Sequence, residues 1–333
     1  MKDFREYSLL PHNTFGIDAR CSRFLEYENA VEAQQVAQIL RDSSLPYIII
    51  GSGSNLLLTR DYEGIVVHSA IKGKDISGCR IACGSGETWD DIVAVSLHNG
   101  LYGAENLSLI PGDVGASAVQ NIGAYGVEAK DFICEVHAVE IATGHLCVID
   151  RDGCQYGYRQ SRFKQDWKNR FLITMVVYEF SDIFEPRMDY GNIRVELEHR
   201  NISKPTALQL RQVIIDIRNA KLPDPKVQGN AGSFFMNPVV SRQKYEELLT
   251  LYPQMPHYAV DSDHEKIPAG WMIDQCGWKG KSLGRAGVHD KQALVLVNRG
   301  GATGQEIVYL CETIRKDVKE HFGIDIQPEV NII

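Results

Sequence analysis

The segment Ile110–Gly126 reads IPGDVGASAVQNIGAYG. Glycines and small residues crowd into this loop, which carries little charge. Because glycine has no Cβ, a backbone rich in it can approach a large ligand closely. Five residues could then supply N–H and side-chain donors to a pyrophosphate and to the polar edge of a ring: Gly115, Ala116, Ser117, Asn121 and Gly123. The alternative is a glycine-rich crossover that serves only packing.

A second glycine loop, Gly51-Ser52-Gly53-Ser54-Asn55, follows the apolar run YIII and an upstream stretch with apolar residues at helical spacing. The pattern predicts a helix, a buried strand and a turn whose successive N–H groups form an anion-binding nest. The alternative is an ordinary tight turn. A Rossmann fingerprint is excluded because Leu56 stands where GxGxxG requires its last glycine. Gln275 excludes a P-loop at Gly280–Ser282 in the same way.

The composition is that of an ordinary globular protein. Of the 333 residues, 44% are hydrophobic and 23% charged, and this length suits two or three domains. The net charge of −8 argues against general binding of nucleic acid or an anionic membrane, so an anionic ligand needs a local basic pocket. The N-terminal MKDFREYSLL lacks the apolar core of a signal peptide, and we expect a cytoplasmic protein. The eight cysteines include no CxxC pair, so we expect reduced thiols and no metal site.

The chain is predicted to be an α+β protein. Residues 1–70 resemble a small α/β unit. Between residues 80 and 180, the strands RIACGS, ICEVHAVEI and FLITMVVYEF accompany one helix, TWDDIVAVSLHNG, which ends at the C′ residue Gly100. Helices and short strands follow, and the final IDIQPEVNII alternates like a strand, in which Pro328 indicates either an edge position or an irregular start.

Two further segments hold candidate catalytic side chains. In CQYGYRQSRFK, residues 154–164, Arg159 lies among tyrosines and a glycine, where a rigid guanidinium could bind a carboxylate or an enolate. In GNAGSFF, residues 229–235, Ser233 lies between small residues and two aromatics, and Phe235 excludes the GxSxG motif of hydrolases. The alternatives are a surface arginine and an ordinary loop serine. Basic segments at residues 218–226 and 279–285 would suit a diphosphate, or they are solvated loops.

Together these segments resemble the UDP-N-acetylenolpyruvoylglucosamine reductase family. The matching stretches are YIIIGSGSNLLL, GAENLSLIPGDVGASAVQNIGAYGVE, CQYGYRQSRFK, KLPDPKVQGNAGSFFMNPVV, AGWMIDQCGWKGKSLGRAGVHDKQALVLVN and QPEVNII. They run from near residue 47 to the C-terminus in the family's order.

The resemblance implies an FAD-binding fold of the vanillyl-alcohol-oxidase (PCMH) type with a C-terminal α+β domain for the UDP-sugar. It implies FAD-binding subdomains at residues 1–70, completed by the tail 325–333, and at 71–205, with the substrate domain at 206–324. The predicted FAD-binding residues are Gly51, Ser52, Gly53, Ser54, Asn55, Gly112, Gly115, Ala116, Ser117, Asn121 and Gly123. Because GSGSN contains neither histidine nor cysteine, noncovalent FAD is expected.

The resemblance also implies a catalytic trio of Arg159, Ser233 and Glu329. NADPH would reduce the flavin, a hydride would pass to C3 of the enolpyruvyl group, and Ser233 would protonate C2. Arg159 would stabilise the enolate, while Glu329 would donate a hydrogen bond or orient Arg159. The residues predicted to line the substrate or nicotinamide pocket are Tyr190, Lys221, Asn237, Lys279 and Gln292. Tyr190, in MDYGNI, resembles the tyrosine loop of the family's longer form.

Two alternatives remain at this point. One is another FAD-dependent oxidoreductase of the same fold, which GNAGSFF together with QPEV disfavours. The other is a noncatalytic UDP-sugar-binding relative, which would be free to lose one of Arg159, Ser233 and Glu329. We expect a monomer whose ligands are small molecules.

Overall fold

The computed structural model describes all 333 residues and divides into two compact units. The first unit contains Met1–Tyr7, Cys21–Ser52 and Tyr62–Arg218. The second unit contains Ser8–Arg20, Gly53–Asp61 and Asn219–Ile333. Two short segments near the N-terminus therefore belong to the same unit as the last third of the chain. The three-domain division expected from the sequence stays a prediction.

The first unit begins with a four-stranded sheet. Its strands lie in the order Lys2–Ser8, Arg20–Tyr27, Tyr62–Ser69 and Tyr47–Ile50. The last two strands are parallel, and so are the second and third. The helix Ala30–Asp42 buries the apolar positions of one face, and the Asn29 side chain caps it by accepting from the N–H of Glu32. The predicted helix and strand ahead of GSGSN are therefore confirmed, but the strand is not buried as predicted: it lies at the edge of the sheet, and all four of its residues are partly exposed.

The first unit also contains a five-stranded antiparallel sheet. The order of its strands is Leu146–Asp150, Ile133–Glu140, Phe171–Glu179, Arg80–Gly84 and Lys74–Ser77. These strands, with the helix Trp89–His98, confirm the prediction for residues 80–180. Gly100 follows the helix in the left-handed conformation, with φ of +70°, as predicted for a C′ glycine.

The short helix Val114–Gln120 packs on the second sheet. It lies inside the glycine-rich segment and shares a hydrophobic core with the helix Trp89–His98. A two-residue hairpin, Gly123–Ala124 with Val127–Glu128, follows it. The helices Ile193–His199 and Ala207–Lys221 complete this part of the chain and bury a separate apolar cluster between them.

The second unit combines three helices with short strands. The helices are Arg242–Leu251, Ala269–Gln275 and Gly304–Phe322, and the strands are Leu56–Leu57, Val239–Ser241, Tyr258–Ala259, His264–Lys266, Ser282–Leu283, Ala286–Val288, Leu296–Asn298 and Asn331–Ile332. The chain's last strand pairs in parallel with Leu56–Leu57, and Pro328 forms only an isolated bridge, as an irregular start, one of the two predicted alternatives, requires. None of the chain's helices combines the length and the apolar character that crossing a membrane requires.

The longest helix depends on a close backbone contact at its first residue. Thr303 and Glu306 form a capping box, and Gly323 ends the helix with φ of +66°. A Cβ on Gly304 would lie 1.9 Å from the carbonyl oxygen of Leu58. Only glycine at this position therefore allows the helix to begin against the backbone of Leu58, the residue after the strand Leu56–Leu57.

We predict that Gly304→Ala lowers the free energy of unfolding by about 2 to 3 kcal/mol, because the added methyl group forces the backbone apart. An alanine at a helix position normally has the opposite effect, since it stabilises a helix relative to glycine. Urea denaturation measures the difference. Gln305→Ala, an exposed change at the next residue, is the control and should have little effect. An unchanged unfolding midpoint for Gly304→Ala would contradict the contact.

Candidate functional site

The two glycine loops predicted separately from the sequence meet in the first unit. The strand Tyr47–Ile50 leads into Gly51. A Cβ on Gly51 would lie 2.9 Å from Oδ2 of Asp113 and 3.2 Å from Cβ of Ala116. The turn after the strand therefore lies directly on the start of the helix Val114–Gln120. This is the close backbone approach expected at a nucleotide site.

The GSGSN loop continues into the second unit. Gly53 has a φ of +74°, and a Cβ there would lie 1.9 Å from the carbonyl oxygen of His12. The carbonyl oxygen of Gly53 accepts a hydrogen bond from the N–H of Thr14. Asn55 donates from Nδ2 to the carbonyl oxygen of Glu329, at 3.3 Å. Sequence reasoning had linked neither His12 nor Thr14 to this turn by any contact.

Two predicted FAD-binding residues are buried within the protein. Ser117 and Asn121 are 1% and 0% exposed. The Ser117 hydroxyl bonds the Val114 carbonyl and the Tyr178 hydroxyl. The Asn121 side chain donates to the carbonyl of Gly157 and accepts from a backbone N–H. In this geometry both side chains support the loop instead of facing a ligand, and direct contact with a cofactor stays a prediction.

A largely buried histidine, His68, lies between two carboxylates beside the glycine loops. Nδ1 of His68 is 2.9 Å from Oε2 of Glu26, and its Nε2 is 3.7 Å from Oδ2 of Asp113. Burial alone would lower the pKa of His68, but the nearby Asp113 and Glu26 carboxylates, of which Glu26 is hydrogen-bonded to the ring, outweigh burial and raise it. Sequence reasoning missed this cluster because its three members come from distant segments with no shared motif.

Arg159 lies on a turn that is fastened to the glycine-rich segment. Its backbone has a φ of +55°, which is uncommon for a side chain other than glycine. Asn121 holds the turn on one side through the carbonyl of Gly157. On the other side Ser161 donates to the carbonyl of Val119, at 2.6 Å. The first unit therefore presents Arg159 beside the loop that the sequence predicted for the cofactor.

A second arginine, which sequence reasoning placed only in a basic segment, adds positive charge near Arg159. Arg218 is partly exposed, but Nε of its guanidinium is buried and has no hydrogen-bond partner in the protein. Burial lowers the pKa of Arg218, the neighbouring Arg159 lowers it further, and Tyr125 and Asp90 partly oppose both effects. Because the two guanidinium groups repel each other, an anion bound near both of them would be stabilised.

Tyr190 lies against the end of the glycine-rich segment. Tyr190 packs on Gly126, and the Tyr125 ring packs on Gly191. The buried Asn106 donates from Nδ2 to the carbonyl oxygens of both Tyr125 and Arg187, at 2.8 and 3.0 Å. The segment predicted as a tyrosine loop is thus attached to the end of the glycine-rich segment.

The second unit brings together Ser233 and Glu329, which are far apart in the sequence. Ser233 follows Gly232, whose φ is +69°. The N–H of Glu329 donates to the carbonyl oxygen of Phe234 at 2.8 Å, and Phe235 and Pro328 form a β-bridge. Phe234 and Phe235 are almost fully buried, which fixes the backbone around the serine. The two residues thus lie on paired backbone segments.

The remaining predicted residues are divided between two places. The side-chain oxygen of Asn237 accepts a hydrogen bond from the N–H of Ala269 at 2.9 Å. Gln292 lies beside Gly270, where an added Cβ would be 3.0 Å from its Oε1. Both therefore contact the start of the helix Ala269–Gln275. Lys279 forms an ion pair with Asp274 at 2.8 Å, near the end of that helix. Lys221 is exposed at the last residue of the helix Ala207–Lys221.

Comparisons with known proteins agree with this geometry. A family model described as an FAD binding domain matches residues 22–150, and one described as the C-terminal domain of UDP-N-acetylenolpyruvoylglucosamine reductase matches residues 224–333. A curated UDP-N-acetylenolpyruvoylglucosamine reductase from Bacteroides fragilis is 53% identical, over 99% of each chain. The enzyme of that name from Pseudomonas aeruginosa is 45% identical, over 98% of this chain and 97% of its own.

A solved structure supports the same fold. The crystal structure of UDP-N-acetylenolpyruvylglucosamine reductase from Thermus caldophilus aligns with a TM-score of 0.69. The alignment covers 99% of this chain and 98% of the other, at 21% sequence identity.

The close-packed glycine loops and the matching FAD-binding model define the chain as a flavoprotein oxidoreductase. Its similarity to the curated relatives extends over the whole length and includes the C-terminal domain that carries Ser233 and Glu329. The chain belongs to the UDP-N-acetylenolpyruvoylglucosamine reductase family. The fold and family predicted from the sequence are confirmed.

We predict that the stabilising effect of His68 depends on pH. Because the pKa of His68 is raised above 6.5 in the folded protein, its contribution is fully present below pH 6.5. The contribution is lost as the pH rises through the folded-state pKa. Urea denaturation of the wild type and of His68→Gln should therefore show a larger difference in unfolding free energy at pH 5.5 than at pH 8.5.

His145→Gln, at an exposed position, is the control for that experiment and should show a small difference at both pH values. A His68→Gln effect that grows between pH 5.5 and 8.5 would contradict the arrangement of His68 between Glu26 and Asp113.

Proposed function

We propose that Arg159, Ser233 and Glu329 carry out the reduction of UDP-N-acetylglucosamine enolpyruvate to UDP-N-acetylmuramate in this reductase. This is the reductive step in the synthesis of the peptidoglycan precursor. The observation that carries the proposal is the backbone pairing of Glu329 with Phe234, the residue after Ser233. A long-range pairing at this point is expected if both residues serve one reaction.

The residues of the glycine loops fit FAD as the cofactor. Gly51 lies so close to Asp113 and Ala116 that little space remains for a side chain there. Without a side chain, the backbone at Gly51 can approach a large ligand closely. FAD held there would supply the hydride transfer from NADPH to C3 of the enolpyruvyl group. Noncovalent binding is supported by the absence of histidine and cysteine from GSGSN. We assign the cofactor contacts to Gly51–Asn55 and to the residues of the glycine-rich loop that remain accessible.

Arg159 stabilises the negative charge that develops on the enolate and its carboxylate. A guanidinium held in advance in the right place loses little freedom when that charge appears. The hydrogen bonds on both sides of the turn support such rigidity, because they fix the backbone at Gly157 and Ser161. The neighbouring Arg218 adds to the positive potential at Arg159.

Ser233 delivers the proton to C2. Serine is a weak acid in water, but a carbanionic acceptor is a strong base, so the transfer depends mainly on position. The left-handed Gly232 and the buried Phe234 support a fixed position for the hydroxyl. We assign Glu329 a supporting role, either as a hydrogen-bond donor in its neutral form or as an orienting carboxylate.

We assign the UDP-sugar and the nicotinamide nucleotide to one pocket, lined by Tyr190, Lys221, Asn237, Lys279 and Gln292. Both ligands are diphosphonucleosides, so their successive use of one pocket is physically reasonable. The absence of any separate dinucleotide fingerprint in the sequence supports this assignment. Asn237 and Gln292 support it further, since both contact the start of one helix.

We place the enzyme in the cytoplasm as a monomer. All eight cysteines are free thiols in the structure, which suits a reducing compartment. NADPH and the nucleotide sugar are small molecules, so the reaction by itself needs no protein partner.

An anaerobic spectral experiment tests the function and the role of Ser233 together. NADPH should bleach the flavin bands of the wild type, and UDP-N-acetylglucosamine enolpyruvate should restore them. In Ser233→Ala, NADPH should still bleach the flavin, but restoration should slow by about 10² to 10⁴-fold, the usual contribution of a positioned acid. Stopped-flow absorbance measures both half-reactions.

Ser262→Ala, at an exposed position in the same unit, is the control and should behave like the wild type. A purified protein that takes up no FAD would contradict the function. Unimpaired restoration in Ser233→Ala would show that another group supplies the proton.

We predict that Arg159→Lys lowers kcat by about 10²-fold or more, the usual cost of losing a preorganised charge donor. Lysine keeps the charge but loses the planar fork that binds a carboxylate through two hydrogen bonds. Flavin reduction by NADPH should be nearly unchanged, because the enolate does not form in that step.

Arg162→Lys is the matched control, since Arg162 lies on the same segment but pairs with Asp166. Steady-state kinetics with both variants gives the comparison. Near-normal turnover in Arg159→Lys would remove Arg159 from the catalytic group.

A further inference from the structure

The second unit contains a cavity that none of the residues assigned above lines. Its volume is about 660 Å³. One wall is the segment Leu222–Gly229, a second is Phe15–Gly16, and the third comes from residues between His289 and Gly300. Small-molecule sites in proteins usually have volumes of about 300 to 1,000 Å³. The cavity is therefore large enough for a metabolite and not only for a few waters.

The wall of the cavity is positively charged although the chain is acidic overall. Lys226, Lys291 and Arg299 line it, against one carboxylate, that of Asp224. The Asp224 carboxylate is engaged by the N–H of Lys226, at 2.9 Å. Neither lysine forms an ion pair within the chain. In a protein of net charge −8, two unpaired lysines beside an arginine make a local attraction for anions.

Arg299 is held in place before any ligand arrives. Its Nη2 donates to the carbonyl of Val288 at 2.9 Å and to Oδ1 of Asp290 at 2.7 Å. The side chain crosses Gly287, where a Cβ would lie 2.6 Å from Nε of Arg299. A fixed guanidinium loses little side-chain freedom on binding an anion, which favours affinity.

His289 supplies a polar atom without a partner in the same wall. Its Nδ1 is buried and forms no hydrogen bond within the protein. Burial lowers the pKa of His289, so the ring is neutral near neutral pH and carries one N–H. Buried polar atoms without a partner are uncommon in proteins, and a ligand or an ordered water usually accounts for them.

We infer that this cavity binds a small molecule that carries a phosphate group, at a site separate from the one assigned to the substrate. The two unpaired lysines supply positive charge for a phosphate dianion, and Arg299, although it is paired with Asp290, presents its remaining N–H groups to the phosphate oxygens. The volume exceeds what one phosphate fills, so the organic part of a phosphate ester occupies the remainder.

The position of the cavity separates it from the proposed chemistry. The segment Leu222–Gly229 lies in the sequence between Lys221 and Ser233, but neither of these residues lines the cavity. Substitution of Lys226 and Lys291 should therefore leave Arg159, Ser233 and Glu329 unaltered. Ligand binding in the cavity and catalysis can then be measured separately.

Isothermal titration calorimetry of the FAD-loaded protein at low ionic strength tests the inference, with inorganic phosphate and glucose 6-phosphate as separate probes. Both should bind the wild type, and tighter binding of glucose 6-phosphate would identify an ester as the preferred ligand. The double variant Lys226→Gln/Lys291→Gln should bind each probe at least about tenfold more weakly, because hydrogen bonds to charged groups each contribute at least about this factor.

The matched control is Lys316→Gln/Lys319→Gln, which removes two exposed lysines from the helix Gly304–Phe322 of the same unit and should bind as the wild type does. Lys221→Gln should also bind both probes normally. Wild-type protein that binds neither probe would overturn the inference. So would loss of binding in Lys221→Gln with normal binding in the double variant, since the phosphate would then lie in the substrate pocket.

Discussion

The contact between Gly51 and the start of the helix Val114–Gln120 is the constraint that brings the two glycine loops of the first unit together. A side chain on Gly51 would press on Ala116 and require the Asp113 carboxylate to move. The turn after the first sheet can therefore lie on the second sheet's helix only because that position is glycine. His68, between Glu26 and Asp113, lies beside this approach.

Local patterns were enough to predict the elements around this contact. Apolar periodicity identified the helix Ala30–Asp42 and the strand after it, and the helix Trp89–His98 ends where its C′ glycine indicated. Residues close together in the sequence determine these helices and strands, so one sequence is enough to predict them. The membership of Ser8–Arg20 in the second unit is different, because contacts with residues far along the chain determine it.

The candidate site was predictable only in part for the same physical reason. Nothing local distinguishes Glu329 from any other glutamate, and only resemblance to a family singled it out. Its significance in the structure comes from a backbone hydrogen bond to Phe234, about a hundred residues earlier in the chain. The environment of His68 likewise requires two carboxylates from segments that the sequence does not connect. Pairings of this kind arise from tertiary structure and leave no periodicity to detect.

Ser117 and Asn121 show how polarity in a glycine-rich loop can serve the loop itself. A serine and an asparagine there suggest donors for a ligand, yet both are buried and bonded to protein atoms. Buried backbone groups need partners, and a loop that gives its backbone to a ligand must satisfy the remaining groups with side chains. Asn121 satisfies the carbonyl of Gly157, and in doing so it fixes the turn that carries Arg159. The glycine-rich loop and the turn that holds Arg159 are therefore one connected structure, and a change at Asn121 would disturb both.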